Sequence, residues 1–198
     1  MDKQDILMVG VGGQGTILAS DILGDVALAA SYDVKKTDTL GMAQRGGSVI
    51  SHVRLAKKVW SPMIKEGEVD ILLAFEKLEA ARWAHFLKPG GLALVNNHAN
   101  PPLSVSLGTH RYPNDNEVRE ILKQRTDKIY LVEGTASAKE MGDVRTLNLF
   151  MLGCISNFMS IKPNVWQKCI AERLPAKILQ LNLKAFEQGR KETSHVNL

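Results

Sequence analysis

The chain reads as an α/β protein with a Rossmann-like, largely parallel sheet flanked by helices and a helical C-terminal portion. Three observations predict this. Short apolar runs alternate with helical stretches up to about residue 133, a glycine-rich turn joins the first such pair, and the pattern from Gly134 onward is helical. At 198 residues and 44% hydrophobic content, the chain is expected to form one domain over 1–198, with its helical layer at about 135–190.

Asp5–Val9 is an apolar run that stops at glycine, and Leu18, Ile22 and Val26 then recur every fourth residue, so strand, turn and helix follow in order. A second strand is expected over Asp33–Asp38. Beyond a glycine-rich loop, Val49, Ser51, Val53 and Leu55 alternate with Ile50, His52 and Arg54, a period of two that predicts a half-exposed strand. "VDILLAF", Val69–Phe75, has the continuous apolar character of a buried parallel strand. A short helix is expected over Leu78–Phe86, with "KPGG" as its stop signal and a strand at Leu92–Asn96. Pro101 and Pro102 open an irregular link. Asn114 is suited to capping a helix that runs to about Gln124, and Lys128–Glu133 reads as the next strand.

After "TASAKEMG" comes a helix over Arg145–Met159 that is apolar almost all round and must be covered on several sides. Helices over Asn164–Arg173 and Ala176–Gln188 complete the layer. The apolar surface of these helices can be met by the sheet itself or by another subunit.

The formal charge is +4, with basic and acidic residues interspersed, and Trp60, Trp83 and Trp166 are scattered, so no nucleic-acid surface is indicated. "MDKQDILMVG" enters directly into an apolar run and no stretch is long enough to span a bilayer, so a soluble, cytoplasmic protein is expected. Cys154 and Cys169 do not supply a four-cysteine cluster, and the five histidines show no metal-ligand spacing; no bound metal is expected. Asp21 with Asp25, and Glu76 with Glu79, are read as solvated or capping carboxylates rather than an acid–base pair. Ser51 and His52 point to opposite faces and do not form a nucleophile and its base.

Two glycine-rich segments carry the candidate chemistry. "GVGGQG", Gly10–Gly15, fits G-x-G-x-x-G between a strand and a helix. Gly10 permits the tight turn, Gly12 lets a ligand or a neighbouring backbone approach, Gly15 allows close helix packing, and amides at the helix start favour an anion. Gly10, Gly12, Gly13, Gln14 and Gly15 are therefore candidate ligand residues, with a tight connection holding no ligand as the alternative. Asp38 is placed to meet a ribose, which keeps NAD in view. Lys35, Lys36 and the missing second crossover helix argue against it. In "GMAQRGGSVISHVR", Gly41–Arg54, the glycines Gly46 and Gly47 form a loop that can bring Arg45 to a carboxylate or phosphate, with a polar patch continuing along His52 and Arg54. The other reading is a solvated edge strand with an arginine salt bridge.

"GVGGQGT", "GMAQRGGSVISHVR", "SPMI" and "NLKAFEQG" occur in an order that resembles the gamma-type domain of 2-oxoacid:ferredoxin oxidoreductases, and most closely the indolepyruvate branch, over about Ile6–Gly189. The resemblance implies an accessory subunit that is inactive alone. A larger partner subunit is implied to carry thiamine diphosphate, magnesium and the iron–sulfur clusters, to oxidise a 2-oxoacid, to pass the acyl group to coenzyme A and to pass electrons to ferredoxin. No cofactor held tightly by this chain is expected, and Arg45, Gly46 and Gly47 are placed near the interface or active-site mouth. A stand-alone nucleotide-binding or regulatory module and an NAD-linked oxidoreductase are the other function classes that fit the glycine turn.

Overall fold

The computed structural model describes residues 3–41 and 46–195. In chain order the elements are β1 (Gln4–Val11), α1 (Thr16–Ala29), β2 (Asp33–Leu40), β3 (Ser48–Ala56), β4 (Val69–Ala74), α2 (Lys77–Trp83), β5 (Leu87–Asn96), the single turn α3 (Leu103–Ser106), α4 (Asp115–Lys123), β6 (Ile129–Val132), α5 (Gly134–Glu140), α6 (Leu147–Ser156), α7 (Pro163–Arg173) and α8 (Ala176–Glu192). The six strands form a sheet of order β2-β3-β1-β4-β5-β6, in which β3 runs antiparallel to both neighbours and β1, β4, β5 and β6 are mutually parallel.

Side-chain alternation divides the sheet between two cores. Ile6, Met8, Val53, Leu55, Leu73 and Leu94 face α1, α6, α7 and α8, whereas Leu7, Val9, Ile50, Leu72, Ala93 and Val95 face α2 and α4. Both faces of β1 are thus buried, which is why its sequence is uniformly apolar rather than alternating. All ten residues of α6 are buried. The sheet, α1 and α8 cover it, so its apolar circumference requires no second subunit. Contact with α8 is intimate: a Cβ at Gly153 would sit 2.0 Å from the Phe186 carbonyl oxygen, and one at Gly189 1.9 Å from that of Phe150. Only glycine admits so close a backbone approach.

Several boundaries differ from expectation for identifiable reasons. β3 is an interior strand, not a half-exposed edge. His52 is 3% exposed and Ser51 fully buried, and the edge position belongs to β2. Period two misleads here because the polar side chains on β3 find protein partners. His52 Nδ1 accepts from the Ile64 amide at 3.4 Å, Ser51 Oγ donates to Asp38 at 2.6 Å, and Arg54 forks onto the buried Asp5 at 2.9 and 3.0 Å. No polar patch therefore runs along His52 and Arg54. β5 begins at Leu87, five residues early, because "KPGG" bulges out of the strand. Gly90, at φ +72°, donates its amide to the Arg125 carbonyl, and register with β4 resumes at Ile71 and Leu92.

Candidate functional site

The carboxyl edge of the parallel strands is where an open α/β sheet offers a crevice, and there the first glycine turn opens onto a cavity of about 560 Å³. Its lining includes Gly12, Gly13, Gln14 and Gly15 from the turn, Thr135 at the start of α5, Asp143–Asn148 leading into α6, and Ile178 and Asn182 of α8.

Gln14 builds the turn. Its Oε1 accepts from the Val11 amide at 2.7 Å and its Nε2 donates to the Phe75 carbonyl at 3.1 Å, so one side chain clamps the end of β1 to the residue after β4. Asn96 extends the clamp sideways. Its Nδ2 donates to the Phe75 carbonyl and to Thr135 Oγ1 at 3.0 and 2.8 Å, and its Oδ1 accepts from the Thr135 amide at 3.1 Å, fixing α5 over the sheet.

The glycines have separate tasks. Gly10 lies beneath the site, where a Cβ would meet Thr16, Gln14 and Phe75 at 2.7 to 3.0 Å. Gly12 is joined backbone to backbone with the second glycine loop: its amide donates to the Gly47 carbonyl at 2.8 Å and its carbonyl accepts from the Gly46 amide at 3.4 Å. The amide that would approach a pyrophosphate in a dinucleotide turn is therefore engaged by protein. Gly13 and Gly15 adopt φ +108° and +79°, conformations natural only to glycine, and Gly13 faces open space. Among the described residues, no protein acceptor takes up the amides of Gly13, Gly15 and Thr16, and the first turn of α1 carries no acid. These amides are the anion-favouring feature of the site.

Asn148 stands opposite. It is 4% exposed, its Oδ1 accepts from the Leu149 amide at 2.9 Å, and its Nδ2 lies against Gly15. On the rim, Arg145 forks onto Asp143, which holds that carboxyl below its usual range through the hydrogen bonds and charge of Arg145. Sequence reasoning missed Asn148, Asn182 and Thr135. The available signal was an asparagine within the otherwise apolar "LNLFML" helix.

Of the residues expected at the site, Gly12, Gly13, Gln14 and Gly15 line this cavity, Gly46 and Gly47 reach it only through Gly12, and Gly10 supports it from below. Arg45 lies outside the described residues. Asp38 accepts from Ser51 and, at 2.8 Å, from Lys36, and is not in the cavity lining, so the acid invoked for a ribose is already satisfied elsewhere. Glu76 caps α2, accepting from the amides of Glu79 and Asn100 and from the Tyr112 hydroxyl; burial and this carboxylate hold the Tyr112 hydroxyl far up from its ordinary value. Glu79 accepts from Ser48 and Arg82 at 2.5 and 2.7 Å. Cys154 and Cys169 are both buried and free, on α6 and α7, and no group of three or more His, Cys, Asp or Glu side chains among the described residues is placed to hold a metal. These residues do not fit an iron–sulfur cluster or a metal bound by this chain's own side chains.

The family profile described as pyruvate ferredoxin/flavodoxin oxidoreductase matches residues 5–192. The chain belongs to this family. It is 36% identical over 194 residues to the indolepyruvate oxidoreductase subunit IorB of Thermococcus kodakarensis, with 96% of each chain covered, and 37% identical over 189 residues to that of Archaeoglobus fulgidus, with 94% of each covered. It is also 27% identical to the Thermococcus kodakarensis pyruvate/ketoisovalerate oxidoreductases common subunit gamma, with 96% of each chain covered. Its fold is that of the keto/oxoacid ferredoxin oxidoreductase gamma subunit from Geobacter sulfurreducens, with TM-score 0.72, 24% identity and 98% and 99% of the two chains covered. The same fold recurs in the 2-oxoglutarate:ferredoxin oxidoreductase of Magnetococcus marinus, solved with 2-oxoglutarate, coenzyme A and succinyl-CoA bound (TM-score 0.76, 19% identity). All of this chain is matched there, but it spans 32% of that longer chain. This family member is accordingly a small subunit of a 2-oxoacid:ferredoxin oxidoreductase complex. No helix among the described residues is long and apolar enough to cross a membrane.

Proposed function

We infer that the chain, as a single gamma-type domain, is the accessory subunit of a cytoplasmic enzyme that oxidises indolepyruvate, and that it shapes the access of coenzyme A to a larger catalytic subunit. The observation that carries this reading is the cavity between the glycine turn and Asn148, where amides at the start of α1 that have no acceptor among the described residues face a buried amide side chain. Such a lining suits an anionic, phosphate-bearing group, and its volume suits one part of a coenzyme A molecule rather than the whole. The substrate assignment is supported by the identity to the IorB subunits.

Thiamine diphosphate, magnesium and the iron–sulfur clusters, held by the larger subunit, supply the decarboxylation and the electron transfer to ferredoxin. This chain's residues act on binding and access. Gln14 and Asn96 hold the turn at a fixed height above the sheet, Gly13 and Gly15 leave the approach open, and Asn148 gives a donor opposite the amides. Gly46 and Gly47 are hydrogen-bonded to Gly12 beside the turn, and Arg45, which precedes them in the sequence, is the group assigned to the carboxylate of the substrate or a phosphate of coenzyme A.

In the assembled complex, Asn148→Ala is expected to raise the KM for coenzyme A about tenfold with kcat unchanged, the effect of losing one hydrogen bond to a charged group. Arg45→Ala is expected to lower turnover or raise the KM of the 2-oxoacid. Unchanged kinetics in both variants would refute the access role. A chain that never joins a catalytic subunit but binds a nucleotide by itself would replace it with an independent binding module.

A further inference from the structure

The segment between β3 and β4 lies at the opposite end of the sheet from the glycine turn, and its construction is unlike that of an ordinary surface loop. Trp60 is 87% exposed and Met63 54% exposed. Large apolar side chains in that condition usually fold back onto the protein, because burying one is worth a few kcal/mol. Here the backbone beneath them is fastened. Val59 is buried and donates its amide to Asp33 at 2.9 Å; Ile64 is buried and donates to His52; and Arg54, already forked onto Asp5, turns its remaining nitrogen to the carbonyls of Ser61 and Met63 at 3.4 and 2.8 Å. The inward residues Val59 and Ile64 thus force Trp60 and Met63 outward in a fixed arrangement.

Lysines stand on both sides of the pair. Lys57, Lys58 and Lys65 are exposed; Lys58 lies 5.4 Å from the centre of the Trp60 ring and 3.5 Å from the Asp33 carboxylate, and Glu66, beside Lys65 in the chain, leans toward His85. An apolar anchor on a rigid base loses little conformational entropy on docking, and a tryptophan with one lysine over its ring and exposed lysines in the same segment is complementary to an apolar pocket with carboxylates at its rim.

We propose that Trp60 and Met63 are a docking anchor for the larger subunit of the oxidoreductase complex, seated in an apolar, acid-rimmed pocket on that subunit. The proposal rests on the accessory-subunit reading above. It places the anchoring contact away from the cavity, so assembly and ligand access are governed by different ends of the sheet.

The test uses the full chain co-expressed anaerobically with the larger thiamine- and iron-containing subunit, the dissociation constant being read by sedimentation on dilution. Trp60→Ala is expected to weaken association about 30-fold, the loss typical of a central aromatic anchor, with the thermal midpoint of the free chain unchanged. Leu103→Ala, which removes a comparably exposed apolar side chain elsewhere, is the control and should leave association intact. Hydroxyl-radical footprinting should find Trp60 reactive in the free chain and protected in the complex. A wild-type complex that forms while Trp60→Ala binds equally well and Trp60 stays reactive overturns the anchor alone. Failure of the wild-type chain to assemble overturns the subunit reading and the anchor with it. Loss of a homodimer on substitution, with the larger subunit still bound, assigns the patch to a second copy and also overturns the proposal.

Discussion

Gly189→Ala tests how the helical layer is held. The substitution adds one methyl group to α8 at the point where it crosses α6, and that carbon would stand 1.9 Å from the Phe150 carbonyl oxygen, against 3.4 Å or more for ordinary contact. The obstacle is backbone, so no rotamer change relieves it; the helices must separate by about 1.5 Å. Separation also strains the polar contacts beside the crossing: Asn157 Nδ2 donates to the Arg190 carbonyl at 2.7 Å, and Thr193 Oγ1 donates to the Cys154 carbonyl at 2.9 Å. Overpacking of this kind costs about 3 kcal/mol, and the better helix propensity of alanine returns about 1 kcal/mol at most, so the steric term wins by about 2 kcal/mol. For a chain of this length that corresponds to a melting temperature lower by roughly 4–8 °C. Urea denaturation of the variant should show the loss with an unchanged m-value. Gly24→Ala is the matched control. Gly24 lies within α1 with nothing inside 4 Å of its added carbon, so the same chemical change there should stabilise by about 0.4–1 kcal/mol. Gly189→Ala within about 0.5 kcal/mol of the wild type would refute the close-approach account of the α6–α8 contact.

Two further outcomes are expected. Gln14→Ala removes both clamp bonds and leaves the Val11 amide without its acceptor, at a cost of about 1–3 kcal/mol measured by urea unfolding; the Phe75 carbonyl keeps Asn96 as a partner, so a larger loss would show that the clamp holds more than the turn. Burial, reinforced by the nearby Arg54 charge, lowers the His52 pKa, so the neutral ring is the folded form and the unfolded chain takes up its proton first as pH falls. The stability it contributes is complete above about pH 6.5 and declines as pH drops through the folded value, by at most about 1.4 kcal/mol per pH unit; a denaturation series from pH 7.5 to about 5 should show this, and His52→Asn should flatten it.

Much of the architecture was legible in the chain. "DILMVG" and "VDILLAF" announce parallel strands because both faces of β1 and β4 are buried, and the Asn114 cap is realised with its reciprocal Glu117 partner. "GVGGQG" located the turn and "NLKAFEQG" contained the glycine on which α8 approaches α6. Other features depend on partners far away in sequence. The interior place of β3 depends on Asp5, Asp38 and Ile64 neutralising its polar side chains. The cavity depends on Asn148 and Asn182 arriving more than a hundred residues after the turn they face. Local periodicity and turn chemistry are properties of neighbouring residues, so the sequence by itself determined the elements, their largely parallel order and the glycine turn. Whether Gly12 meets a ligand or the Gly47 carbonyl, and whether Trp60 is tucked in or held out, is decided by which backbones fold back against them, and only the tertiary structure settles that.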